Sequence, residues 1–220
     1  MTAPDLLPKC SACRDGQTLG LDISMAFQPI FDMRTGLPWA YEALVRGPQG
    51  QSAASVLEKV SEENRYIFDQ RCRVAAIEGA VAAGILDGDA KLSINFLPNA
   101  VYSPKACIQL TLRTAAEQNF PSDRLMFEMT ENERMGDTVH VRGIIDSYRN
   151  MGFTVALDDF GSGYAGLNLL SKFQTDVIKL DMELIRDIDT SPPRRMIVES
   201  MVALCARMGI TVIAEGVETE

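Results

Sequence analysis

The chain has 220 residues, 46% hydrophobic and 23% charged, the make-up of a globular domain long enough to bury a sizeable core. Its formal charge of −9 excludes long nucleic acid as a partner, since phosphates need a basic face, but allows a small anion that metals or a few local cations neutralise. No apolar run approaches the roughly eighteen residues of a membrane span and no basic-then-apolar leader opens the chain, so it reads as cytoplasmic, without membrane contact.

Residues 1–20, with Pro4, Pro8, Gly16 and Gly20 among polar neighbours, read as a tail or linker. The five cysteines are odd in number and scattered, which fits reduced thiols better than a disulfide framework. Cys10 and Cys13 form half a zinc site, but His140 is the only histidine, so a complete tetrahedral site is not expected. Residues 25–32 form a first strand, placed at an edge or irregular position by Pro29. Arg34-Thr35-Gly36 makes a turn into a second strand, residues 39–47, which can pair with the first antiparallel. A long helical region over residues 52–83 carries Val56, Val60, Ile67, Val74 and Ile77 at roughly helical spacing.

From there strands and helices alternate. Strands are predicted over residues 91–97, 124–130, 154–159, 177–181 and 211–217, and helices over 104–118, 139–151, 165–173 and 194–208. Such alternation implies a parallel sheet, doubly wound or closed into a barrel. An eight-stranded barrel needs one strand more than the seven predicted, so the chain reads as ending early.

The polar residues gather at strand ends. The second strand ends in Glu42-Ala43-Leu44-Val45-Arg46, the third holds Asn95, and the fourth ends in Glu128-Met129-Thr130-Glu131. The fifth, an apolar run of Val155, Ala156 and Leu157, ends in Asp158-Asp159 before Gly161 and Gly163 break it. The sixth gives Lys179-Leu180-Asp181 and the seventh Ala214-Glu215-Gly216-Val217-Glu218. Strand side chains alternate between faces, so Asp158 and Asp159 share one position only where the strand unwinds; facing apart, they suit two different metal ions. Taken singly, Glu42 is an ordinary salt-bridge partner for Arg46, Asn95 a buried amide, Glu131 a helix cap, and Lys179 with Asp181 an exposed pair. Together they put acids on one rim, at a cost of about 4 kcal/mol for each like-charged pair about 4 Å apart. Hard divalent cations resolve that repulsion, and an all-oxygen donor set selects Mg²⁺ or Mn²⁺ over zinc or copper.

These residues, in this order over about residues 22–220, resemble the EAL-domain cyclic-di-GMP phosphodiesterases of bacterial signalling. The resemblance implies a modified TIM-like (β/α) barrel with an antiparallel first strand, truncated here before its last strand, with residues 21–220 as one domain after the tail. It implies cleavage of cyclic di-GMP to linear pGpG with two Mg²⁺ or Mn²⁺ ions, and a homodimer. Glu42, Asn95, Glu128 and Asp158 resemble the ligands of the first metal; Asp158 would bridge to the second, held also by Asp159 and Glu215. Such ions, about 3.5 to 4 Å apart, activate a bridging water and clamp the phosphate. Lys179 matches a lysine that contacts the water and phosphate, to orient and polarise rather than take a proton. Arg46 matches a phosphate contact, and Gln28 a further ligand contact. Glu131 resembles a glutamate that anchors the loop over residues 160–167, near the family's dimer interface, while Asp181 and Glu218 resemble auxiliary polar residues that bind substrate or support the site. Ser162 stands where threonine is frequent, and Ala165-Gly166 replaces a pair of serines, which predicts a more mobile loop. The family also implies control of biofilm formation or motility. The alternative is a catalytically impaired cyclic-di-GMP-binding receptor; the outsider is another Mg²⁺-dependent barrel enzyme acting on a small anion.

Overall fold

The computed structural model describes residues 20–130, 138–163 and 166–217. The tail that carries Cys10 and Cys13, and the predicted site residues Glu131 and Glu218, lie outside the described residues. The chain forms two compact units, divided between Leu125 and Met126.

In the first unit, β1 (Ser24–Asp32) pairs antiparallel with β2 (Leu37–Arg46), as expected, and β2 runs parallel to β3 (Lys91–Asn95). The predicted long helix is two helices, α1 (Ala53–Leu57) and α2 (Arg65–Ala82). Between them Asn64 accepts from the Ser61 amide at 2.7 Å and donates to Lys59 O at 3.0 Å, giving the backbone partners that compete with a continuous helix. Phe68, Ala76, Ile77 and Ala80 are buried on α2. Gly79 lets the helix lie close to β1, since a Cβ there would stand 3.1 Å from Phe27 Cζ. The second predicted helix is likewise divided, into α3 (Pro104–Cys107) and α4 (Gln109–Glu117).

The second unit is a parallel sheet in the order β4 (Leu125–Thr130), β5 (Thr154–Phe160), β6 (Val177–Leu180) and β7 (Thr211–Ala214). Its helices are α5 (Thr138–Asn150), α6 (Gly166–Lys172), α7 (Met182–Ile185) and α8 (Pro192–Met208). The apolar residues of β4 to β6 are almost wholly buried, which is why these strands read as continuous apolar runs. Helix α5 buries Val141, Ile144, Ile145 and Tyr148, one stripe at helical spacing, and Tyr148 and Phe153 both pack against Phe127. Helix α8 starts at Pro192, two residues before the expectation, because proline at a first helical turn sacrifices no hydrogen bond. Strand β6 stops at Leu180, and a short helix follows that periodicity did not reveal. Among the described residues no helix is long and apolar enough to cross a membrane.

Candidate functional site

Register explains why four polar residues of the second unit meet. Partners across parallel strands face the same side, and so does the residue two further along. Glu128 lies beside Ala156, and Asp158 is two residues beyond Ala156. Ala156 pairs with Val177, two before Lys179; Lys179 pairs with Ile213, two before Glu215. Glu128, Asp158, Lys179 and Glu215 therefore face one side at the C-terminal ends of their strands.

The Lys179 ammonium stands 3.0 Å from Glu128 Oε2, 3.0 Å from Asp158 Oδ1 and 2.8 Å from Glu215 Oε1. An ammonium has three N–H donors, and here each has a carboxylate to meet. The Lys179 and Glu128 side chains are 2% and 0% exposed. The sequence-based alternative of an exposed Lys179–Asp181 pair is thereby excluded: both residues are buried and Asp181 turns to another task.

Strict alternation would send Asp159 to the opposite face. The structure departs from that expectation. Between the pairs Leu157 with Ile178 and Phe160 with Leu180, β5 has two residues where β6 has one, and Asp159 takes a left-handed φ of 54°. Asp158 Oδ1 accepts from the Asp159 amide at 3.0 Å, and Asp159 O accepts from Ser162 Oγ at 2.8 Å and from the Ser162 amide at 3.1 Å. One carboxylate oxygen from each of Asp158, Asp159 and Glu215 then falls within 4.8 Å of the others. The two adjacent acids converge instead of pointing apart.

The same register argument holds in the first unit. Glu42 pairs with Ser93, and Asn95 lies two residues beyond, so both face one side. Asn95 Nδ2 donates to Glu42 Oε1 at 3.0 Å. Arg46, at the end of β2, donates from Nη1 to Val45 O at 2.8 Å. Gln28 lies opposite Glu42 on β1 and is exposed. Asp181 is the N-cap of α7, its Oδ1 accepting from the Glu183 amide at 2.7 Å.

Helix α2 holds a buried ion pair that apolar spacing does not mark. Asp69 Oδ2 lies 2.8 Å from Arg73 Nε, with side-chain exposures of 1% and 0%, and Asp69 Oδ1 accepts from the Leu97 amide at 3.0 Å, two residues after Asn95. The available signal was an acid and a base four apart within an otherwise apolar helix face. Beside this pair, burial pushes the Cys72 thiol up to about 12, with the nearby Asp69 charge adding to the effect.

A family model described as EAL domain matches residues 16–220. Among solved structures, a standalone versatile EAL protein from Vibrio cholerae O395, in its c-di-GMP-bound form, is 50% identical with a TM-score of 0.87, the match covering 92% of this chain and 84% of that one. BlrP1 of Klebsiella pneumoniae, as a manganese and cyclic-di-GMP complex, is 36% identical with a TM-score of 0.82, over 93% of this chain and 51% of that one. The blue light- and temperature-regulated antirepressor BluF of Escherichia coli (strain K12) is 31% identical over 194 residues, covering 88% of this chain and 48% of BluF. The chain spans about half or less of the length of the curated relatives it matches. The likeness to the Vibrio structure bears out the expected fold class, the TIM-like α/β fold with an antiparallel first strand.

Proposed function

The chain belongs to the EAL domain family, and from that premise we propose that it binds cyclic di-GMP and hydrolyses it to linear pGpG with two Mg²⁺ or Mn²⁺ ions. The observation that carries the reading is the second unit's acid cluster: Glu128, Asp158 and Glu215 meet one ammonium, and Asp159 converges on Asp158 and Glu215, leaving a formal charge of −3 over the four acids and Lys179 at strand ends.

The donors fit such ions. Three carboxylate oxygens within 4.8 Å of one another match the spread of oxygens around a cation bound at about 2.1 Å, and the oxygen donors suit a hard cation. The proposed ligands are Glu42, Asn95, Glu128 and Asp158 for one ion and Asp158, Asp159 and Glu215 for the other. When bound, the ions supply Lewis acidity to the phosphate and lower the pKa of a water. Lys179 fixes the three carboxylates through its N–H groups; with those oxygens turned to the ions, its N–H groups would be released to orient water and phosphate oxygens. Arg46 binds a phosphate through its planar fork. Gln28 contributes a further ligand contact, Glu131 anchors the loop after β5, and Glu218 is auxiliary. In turnover a P–O bond forms from water and the P–O bond to a sugar 3′ oxygen breaks; that oxygen takes up a proton and pGpG leaves with a 5′ phosphate.

The BlrP1 complex, which holds manganese and cyclic di-GMP, supports both the metal and the ligand. A second reading, a binding-only receptor, is favoured by the antirepressor name of the Escherichia coli relative. Chromatography of cyclic di-GMP incubated with the protein separates them. Metal-dependent pGpG supports the hydrolase, ligand binding without product supports the receptor, and neither binding nor product refutes both. The proposal includes a homodimer, for which a monomeric sedimentation profile with ligand present counts as refutation.

A further inference from the structure

The short helix α7 touches the ends of two strands that carry the acids. A Cβ on Gly161, just after β5, would overlap Leu184 Cδ1, and one on Gly216, just after β7, would stand 2.6 Å from Met182 Cβ and 3.3 Å from Met182 Cα. Both glycines have left-handed φ, 98° and 69°, so each loop turns in close contact with the helix. Backbone bonds tie the same parts together. The Asp181 amide donates to Phe160 O at 3.1 Å, next to Asp159, and the Glu215 amide donates to Leu180 O at 3.2 Å. The helix itself is a single turn, too short to persist on its own, and its N-terminus is held by the Asp181 carboxylate.

We propose that α7 is a positioning brace: Asp181 caps it, and Met182 and Leu184 hold the loops after β7 and β5 so that Glu215 and Asp159 reach one cation. This rests on the metal reading above and gives Asp181 a role other than substrate contact. The carboxylate works through the hydrogen bond it accepts, not through its charge, and asparagine at an N-cap accepts the same bond. Leu184 and Met182 act by shape, filling space that Gly161 and Gly216 leave open.

The test compares Asp181→Ala, Asp181→Asn and Leu184→Ala in the full chain. Mn²⁺ binding is measured by calorimetry without nucleotide, and backbone exchange at Asp181, Ser162 and Glu215 by NMR in chelator. Loss of a cap is expected to weaken Mn²⁺ binding about five- to tenfold in Asp181→Ala, with Asp181→Asn within about twofold of wild type. Leu184→Ala is expected to weaken it similarly, and the Ser162 and Glu215 amides to exchange faster in Asp181→Ala but not in Asp181→Asn. Equal losses in the alanine and asparagine variants would mean that Asp181 acts by charge, and would overturn the brace. So would unchanged exchange in Asp181→Ala. If the wild type takes up no Mn²⁺, the metal reading fails, and the exchange data alone decide whether α7 braces the two loops.

Discussion

Lys179→Met removes the ammonium from Glu128, Asp158 and Glu215 while keeping an unbranched side chain of similar reach. The three acids do not suffer equally. Asp158 and Glu215 keep side-chain exposures of 11% and 25% and regain some water, whereas Glu128 at 0% has none to turn to. Removing one partner of a buried pair costs about 3–5 kcal/mol, and Glu128 carries most of it. Taking about 3 kcal/mol with a urea slope of about 2 kcal/mol/M, the unfolding midpoint in chelator falls by about 1.5 M. Adding Mn²⁺ should restore most of that loss, because a cation among the carboxylates replaces the missing charge. The assay is urea unfolding followed by far-UV circular dichroism, with and without the metal. A midpoint within about 0.2 M of wild type in chelator would refute the argument that Lys179 is the buried countercharge. A loss of the same size with and without Mn²⁺ would show that packing, not charge, was removed.

Asp159→Asn is expected to abolish turnover while ligand binding persists through Arg46; full turnover by product analysis would sink the two-metal assignment. Asp69→Ala leaves Arg73 buried without its carboxylate and releases the Leu97 amide, so stability drops by about 3–5 kcal/mol. Unchanged exchange at Leu97 in that variant would show that Asp69 does not hold the chain after Asn95. Cys72 supplies a pH test, since its folded pKa of about 12 lies above the ordinary thiol value of 9.0. A raised folded pKa gives stability that is complete below the unfolded value and lost as pH rises through the folded one. Between those values the wild type should lose stability relative to Cys72→Ala by up to about 1.4 kcal/mol per pH unit. Parallel urea midpoints for the two proteins across that range would contradict the burial argument.

The acids were legible because they stand beside local patterns. Val155, Ala156 and Leu157 are an apolar run that only a strand buried on both faces explains, and Asp158 follows at once. Glu128 and Lys179 sit within similar runs, where a charge is conspicuous. The break between α1 and α2 was hidden, because the Asn64 side chain bonds to Ser61 and Lys59 in the turn, which apolar spacing does not record. Helix α7 has four residues, less than the window any helical period needs. The buried Asp69–Arg73 pair has the spacing of an ordinary solvent-facing pair on a helix, and the two cases separate only by burial.

The sequence by itself determined which strands form and which polar residues stand at their ends, because both follow from neighbours along the chain. Tertiary structure alone decided where their side chains point. Asp159 converges on Asp158 and Glu215 because β5 has two residues opposite one of β6, and Asp181 became a helix cap because the chain turns just after Leu180. Both outcomes depend on a partner strand or loop distant in sequence, and the free energy of that pairing appears only once the sheet has formed.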